Sequence, residues 1–132
     1  MPIKRNVVAV IDDNVGILGP LSRLLSAFGY ESELYASAEE FLDAAMTSEA
    51  ICLIVDIHLG KSCGIEFAKY LAKAGFTFPI IFMTADDSES IRSRAVEIGC
   101  AGYLIKPFSA NVLIEALVKA SPGITAPRPT IQ

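Results

Sequence analysis

Stretches of strand-like and helix-like patterning take turns along the chain. Five short runs favour a pleated backbone: NVVAVI at 6–11, ESELYA at 31–36, ICLIV at 51–55, PIIFM at 79–83 and AGYLI at 101–105. Four of the five are dominated by aliphatic, often β-branched residues, which pack well on a pleated surface. Between the runs, apolar residues step by three and four. The first such segment carries Ile17, Leu18, Leu21, Leu24, Leu25 and Phe28 and stops at Gly29, a residue common just past a helix end. The second opens SAEEF, where Ser37 and Glu40 have capping-box spacing. A third helix is predicted over 65–74 before Gly75, a fourth over 89–98 before Gly99, and a fifth after Ser109, with Val112, Leu113, Ala116 and Leu117 on its apolar face.

Five alternations of strand and helix predict an α/β fold: a (βα)5, doubly wound, five-stranded parallel sheet with helices on both faces. The first, third and fourth strands are apolar throughout, as a sheet covered on both sides requires. ESELYA is more polar and alternating, which places it at an edge. From about Ser121 the sequence SPGITAPRPTIQ has three prolines and no helical period, so residues 1–120 are expected to form one domain and 121–132 a flexible tail or linker stump.

Composition narrows the function classes. The 132 residues are 52% hydrophobic and 20% charged, with a formal net charge of -4, enough apolar material for one core but a poor electrostatic match to nucleic acid or an anionic membrane. Direct DNA contact would need another domain. Cys52, Cys63 and Cys100 are odd in number and lack metal-ligand spacing, which predicts reduced thiols and a cytoplasmic protein. No apolar stretch reaches the length of a membrane span, and MPIKRN leads straight into a strand-like run.

The chemistry lies at the strand ends. Asp12 and Asp13 follow the first strand, Asp56 ends the third, Thr84 the fourth, and Lys106 and Pro107 follow the fifth. Singly these are ordinary turn formers, caps or solvated groups. In an open α/β sheet, however, the carboxyl ends of the strands form the ligand crevice. Three carboxylates there repel one another unless a cation sits among them, and hard oxygen donors suit Mg²⁺. Three negative charges against Lys106 and a divalent ion sum to zero, a site able to accept phosphate. Asp56 is placed to act as the nucleophile in phosphoryl transfer, with Lys106 and Thr84 meeting phosphoryl oxygens and small Ala85 leaving the approach open.

VIDDN at 10–14, LIVDIHLGKSCG at 53–64, IIFMTA at 80–85 and GCAGYLIKPF at 99–108 resemble the receiver domain of bacterial two-component response regulators, particularly the FixJ-like group, over about residues 6–120. The resemblance implies a CheY-like strand order of 2-1-3-4-5. It implies Mg²⁺ held by Asp13, Asp56 and the backbone carbonyl of His58, with Asp12 acting through water, and a cis Lys106–Pro107 bond. The implied donor is a phosphohistidine on a sensor histidine kinase or phosphotransfer protein. The implied role is that of a phosphoacceptor switch with at most self-catalysed phosphorylation and dephosphorylation, rather than a turnover enzyme. Thr84 and Tyr103 are the implied switch residues, acting on the face of the fourth helix, fifth strand and fifth helix, where a second copy or an effector would bind. A half-buried strand aromatic is an equally good reading of Tyr103.

Three features depart from the family pattern. Gly60 stands where the family usually has proline, so the loop after Asp56 is expected to be more mobile. The first helix carries Gly16, Gly19 and Pro20, and an interior proline tends to kink a helix. His58, the only histidine, borders the expected phosphoryl position and either tunes its hydrolysis or is simply a solvated loop residue. Rival readings are a haloacid dehalogenase-type phosphatase, a flavodoxin-like cofactor binder and a receiver cut from a longer DNA-binding transcription factor. The first wants a second Asp where His58 stands. The second wants a phosphate loop without the charges of DDNVG.

Overall fold

The computed structural model describes residues 6–120; the first five residues and the proline-containing tail at 121–132 lie outside the described residues. Strands β1 (Val7–Ile11), β2 (Glu31–Tyr35), β3 (Ala50–Asp56), β4 (Ile80–Thr84) and β5 (Gly102–Ile105) alternate with helices α1 (Val15–Ala27), α2 (Ala38–Ala44), α3 (Gly64–Lys73), α4 (Glu89–Glu97) and α5 (Ala110–Ala120). The five strands pair in parallel in the order β2-β1-β3-β4-β5. β2, the polar run, is an edge as its alternation predicts.

Successive strand residues point to opposite faces, so each apolar run feeds two cores. Ala9, Ile11, Leu53, Val55 and Phe82 face α2, α3 and α4, where Phe41 packs edge-on against Tyr35, Phe67 and Phe78 at centroid separations of 5.2, 6.0 and 5.5 Å. Val8, Val10, Ile54, Ile81 and Met83 face α1 and α5, against Leu21, Leu25, Leu113 and Leu117. This two-sided burial keeps the central strands in place and holds their carboxyl ends together at one edge of the sheet.

Helix starts follow local chemistry. Asn14 caps α1 by accepting from Gly16 N, Ser37 caps α2 by accepting from Glu40 N, and Ser88 caps α4 by accepting from Ile91 N. The Glu40 carboxylate returns to Ala36 N at 2.9 Å, one residue earlier than a standard capping box. Pro20 lies inside α1 without interrupting it. The hydrogen bond it forfeits is to the carbonyl of Gly16, an exposed first-turn residue that water can serve.

The loop after Asp56 is folded into an antiparallel ribbon, His58–Leu59 against Ser62–Cys63. Gly60 turns it with φ +63°, a left-handed conformation that proline's ring forbids. Gly64 then lets α3 begin hard against the strand: a Cβ there would lie 2.4 Å from the Asp56 carbonyl oxygen.

Candidate functional site

β1, β3 and β5 deliver their terminal side chains to one crevice. Lys106 Nζ donates to Asp56 Oδ2 at 2.7 Å and to Asp12 Oδ2 at 3.0 Å, bridging residues 50 and 94 positions away in sequence. The second oxygen of each carboxylate is also held. Asp12 Oδ1 accepts from Asn14 N at 2.9 Å, and Asp56 Oδ1 accepts from His58 N at 2.8 Å. Asp12 is fully buried and Asp56 nearly so, whereas Asp13 is exposed at the mouth. The Lys106–Pro107 peptide is cis, in agreement with the resemblance.

The electrostatics follow from this packing. Burial raises the Asp12 carboxyl above its ordinary value and the nearby Asp56 charge adds to the rise, with the Asn14 amide and Lys106 opposing it. For Lys106, burial alone would favour the neutral amine. Its hydrogen bonds to Asp56 and Asp12, together with their charges, outweigh that and raise it. The amine therefore stays an ammonium at neutral pH. One oxygen from each of Asp12, Asp13 and Asp56 lies within 4.8 Å of the others. Three carboxylates and one ammonium leave a formal charge of -2 (-3 + 1) in a largely buried pocket, a donor set suited to a divalent cation.

Thr84 ends β4, one residue past the Met83 that pairs with Asp56, and its side chain is buried. Its hydroxyl is turned to the following loop, accepting from Asp86 N at 2.9 Å and donating to Asp86 O at 3.3 Å. The His58 imidazole is 58% exposed, with Nε2 4.0 Å from an Asp86 carboxylate oxygen, so its backbone rather than its ring engages Asp56. Tyr103, half-buried on β5 opposite Phe82, has a hydroxyl sealed from solvent with no hydrogen bond, and the Arg92 guanidinium lies 4.7 Å from its ring centroid. The structure thus brings Asp12, Asp13, Asp56 and Lys106 into one cluster, sets Thr84 just past the strand residue beside Asp56, and places Tyr103 under Arg92 of α4.

Several supporting residues escaped the reading of the sequence. Asn14 fixes both the start of α1 and, through its amide, the Asp12 carboxylate; the signal was an Asn directly before a helical period. Gly64 was legible as a glycine eight places after Asp56, but the close approach that demands it was not. Asp86, Asp87 and Arg92 read along the chain only as charged residues at the start of a helix.

Comparisons with known proteins agree with this geometry. Residues 8–118 match the family described as the response regulator receiver domain. Nodulation protein W of Bradyrhizobium diazoefficiens is 30% identical over 115 residues, covering 87% of this chain and 51% of that protein. The chain thus spans about half the length of the curated relatives it matches. Among solved structures, the crystal structure of FixJ-N superposes with a TM-score of 0.84 at 26% identity, covering 94% of this chain and 99% of that one. A receiver protein from Burkholderia phymatum does so with a TM-score of 0.80 at 34% identity, covering 93% and 99%. The matched span runs from β1 into α5 and contains every residue of the acidic crevice, and on that ground the chain belongs to the family of response regulator receiver domains.

Proposed function

We propose that Asp56 accepts a phosphoryl group from the phosphohistidine of a sensor histidine kinase or phosphotransfer protein, in a Mg²⁺-dependent reaction. The observation that carries this reading is the Lys106 ammonium 2.7 Å from an Asp56 oxygen, inside a crevice that also gathers the Asp12 and Asp13 carboxylates. An Asp56 oxygen forms the new O–P bond as the P–N bond of the donor breaks, and the imidazole leaves with the electron pair. Asp13, Asp56 and the His58 backbone carbonyl would hold the ion, with Asp12 acting through water. When bound, Mg²⁺ supplies charge neutralisation for the phosphoryl oxygens.

The chain's own groups do the rest. Backbone N–H of His58 fixes the Asp56 carboxylate through Oδ1, which orients the other oxygen. Lys106 neutralises a phosphoryl oxygen at the cost of loosening its present bonds to the two aspartates. Thr84 donates to another phosphoryl oxygen only after releasing Asp86, because a hydroxyl has one proton to give. That exchange couples the site to the loop leading into α4, and the α4-β5-α5 face is where a second copy or an effector engages. The position of a second carboxyl acid in an aspartate-nucleophile phosphatase is occupied by the exposed imidazole of His58, which supports a switch over a turnover enzyme.

A second reading concerns the whole protein. Curated relatives are about twice as long as the matched region, which favours this receiver being one module of a longer regulator whose DNA-binding part follows.

The test is binding of beryllofluoride, a phosphoryl mimic. Wild type with Mg²⁺ should bind it; Asp56→Asn should not, and EDTA should abolish binding by the wild type. Equal binding by Asp56→Asn would reject the assignment.

A further inference from the structure

Helix α4 is held differently from its neighbours. Ala95 is its one buried residue, whereas α3 buries Gly64, Ile65, Phe67, Ala68 and Leu71, and α5 buries Leu113, Leu117 and Ala120. Beyond Ala95, only the partly buried Ile91 and Ile98 at its end pack on the core, so polar contacts take a larger share in holding α4 than in holding its neighbours. Arg92 Nη2 donates to Asp87 Oδ1 at 2.7 Å, and the same guanidinium covers the Tyr103 ring at 4.7 Å. Arg92 thereby joins three elements: the β4–α4 loop through Asp87, its own helix, and β5 through Tyr103. The Tyr103 hydroxyl has no hydrogen bond, so the ring lacks a polar anchor of its own and the cation over its face is its specific restraint.

The same loop is tied to the acidic crevice. Asp86, the neighbour of Asp87, holds the Thr84 hydroxyl in both directions, at 2.9 Å and 3.3 Å. We propose that Arg92, clamped between Asp87 and Tyr103, is a positioning residue that stabilises the loop arrangement in which Thr84 is turned to Asp86, and so opposes phosphoryl capture at Asp56. The proposal rests on the phosphoacceptor reading of the crevice. A contact made in only one of two arrangements weakens every ligand that needs the other. Removing the clamp therefore tightens binding of a phosphoryl mimic by about three- to thirtyfold, the range that one exposed cation–π contact and one exposed ion pair supply together.

The experiment titrates beryllofluoride with Mg²⁺ into the intact chain, following the Tyr103 ring resonances by NMR, for wild type, Arg92→Ala, Arg92→Lys and Asp87→Ala. Arg92→Ala and Asp87→Ala should bind more tightly than wild type. In free Arg92→Ala the Tyr103 resonances should already lie part of the way to their liganded positions. Arg92→Lys, which keeps a cation able to cover the ring, should return toward wild type. Thermal midpoints recorded alongside separate this from a merely structural role, which would lower the midpoint and leave affinity and resonance positions unmoved. Unchanged or weaker affinity in Arg92→Ala, with wild type binding normally, overturns the clamp and leaves the phosphoacceptor reading intact. Absence of binding by wild type overturns both.

Discussion

Replacing Gly64 with alanine should damage this fold more than the same change at Gly16, Gly19, Gly60, Gly75, Gly99 or Gly102. The new Cβ would lie 2.4 Å from the Asp56 carbonyl oxygen and 3.0 Å from both Ile57 Cα and Val55 Cγ1. Ordinary contact begins near 3.4 Å, so α3 and the end of β3 must separate by about 1 Å, with backbone on both sides and no flexible side chain to yield. The Gly64 N–H donates to Ile57 O at 2.7 Å, and the same separation strains that bond, which is worth about 1 kcal/mol. Overpacking and hydrogen-bond loss together cost roughly 2–4 kcal/mol. For a domain of this size that lowers Tm by about 10 °C. Gly75→Ala is the control: its φ is +95° but nothing lies within 4 Å of the added carbon, so only left-handed strain of about 1 kcal/mol remains. Thermal and urea unfolding of both variants check the ranking. Because Asp56 moves with its carbonyl, Gly64→Ala should also accept phosphoryl groups more slowly than Gly75→Ala. A Gly64→Ala midpoint equal to or above that of Gly75→Ala would refute the close-approach reasoning.

Other outcomes follow from the same geometry. Asp13→Asn should raise the unfolding free energy measured with urea in EDTA by about 1 kcal/mol or less, since it relieves repulsion at an exposed edge of the acidic cluster; adding Mg²⁺ should then stabilise wild type more than the variant. Gly60→Pro should destabilise the ribbon because φ +63° is closed to proline, and a loss of amide protection at Leu59 and Ser62 would register it. Burial pushes the Cys52 thiol from 9.0 to about 12 and, with the Glu33 hydrogen bond and charge, the Tyr35 phenol from 10.0 to about 12. Both folded-state values are raised, so their stabilising effect is complete below about pH 9 and lost as pH rises toward 12. Urea midpoints should therefore fall across pH 9–11, less steeply for Cys52→Val.

Much of this molecule can be read along the chain because burial on two faces leaves a plain signature. NVVAVI, ICLIV and PIIFM are apolar without alternation, and they are the central strands sandwiched between helices, while ESELYA alternates and is an edge strand with exposed positions. Asp12, Asp56 and Lys106 were legible for a related reason: a charge directly after a buried strand has nowhere to go but the crevice at its end. What resisted reading depends on contacts between elements or on side-chain rotation. The ribbon at His58–Leu59 and Ser62–Cys63 is two residues per strand, too short to display a period. The direction of the Thr84 hydroxyl is a rotamer choice, and the meeting of Arg92 with Tyr103 joins residues 11 positions apart on different elements. Pro20 stands inside α1, which runs on through it because the bond it forfeits falls on an exposed first-turn carbonyl that water can serve.

The central claim is that Asp56 carries a labile acyl phosphate, and chemical trapping addresses it most directly. Wild type treated with acetyl phosphate and Mg²⁺ and then reduced with borohydride should yield homoserine at position 56, found by peptide mass mapping, with no such product in EDTA. Reduction product at another carboxylate, or none at any, would contradict the account.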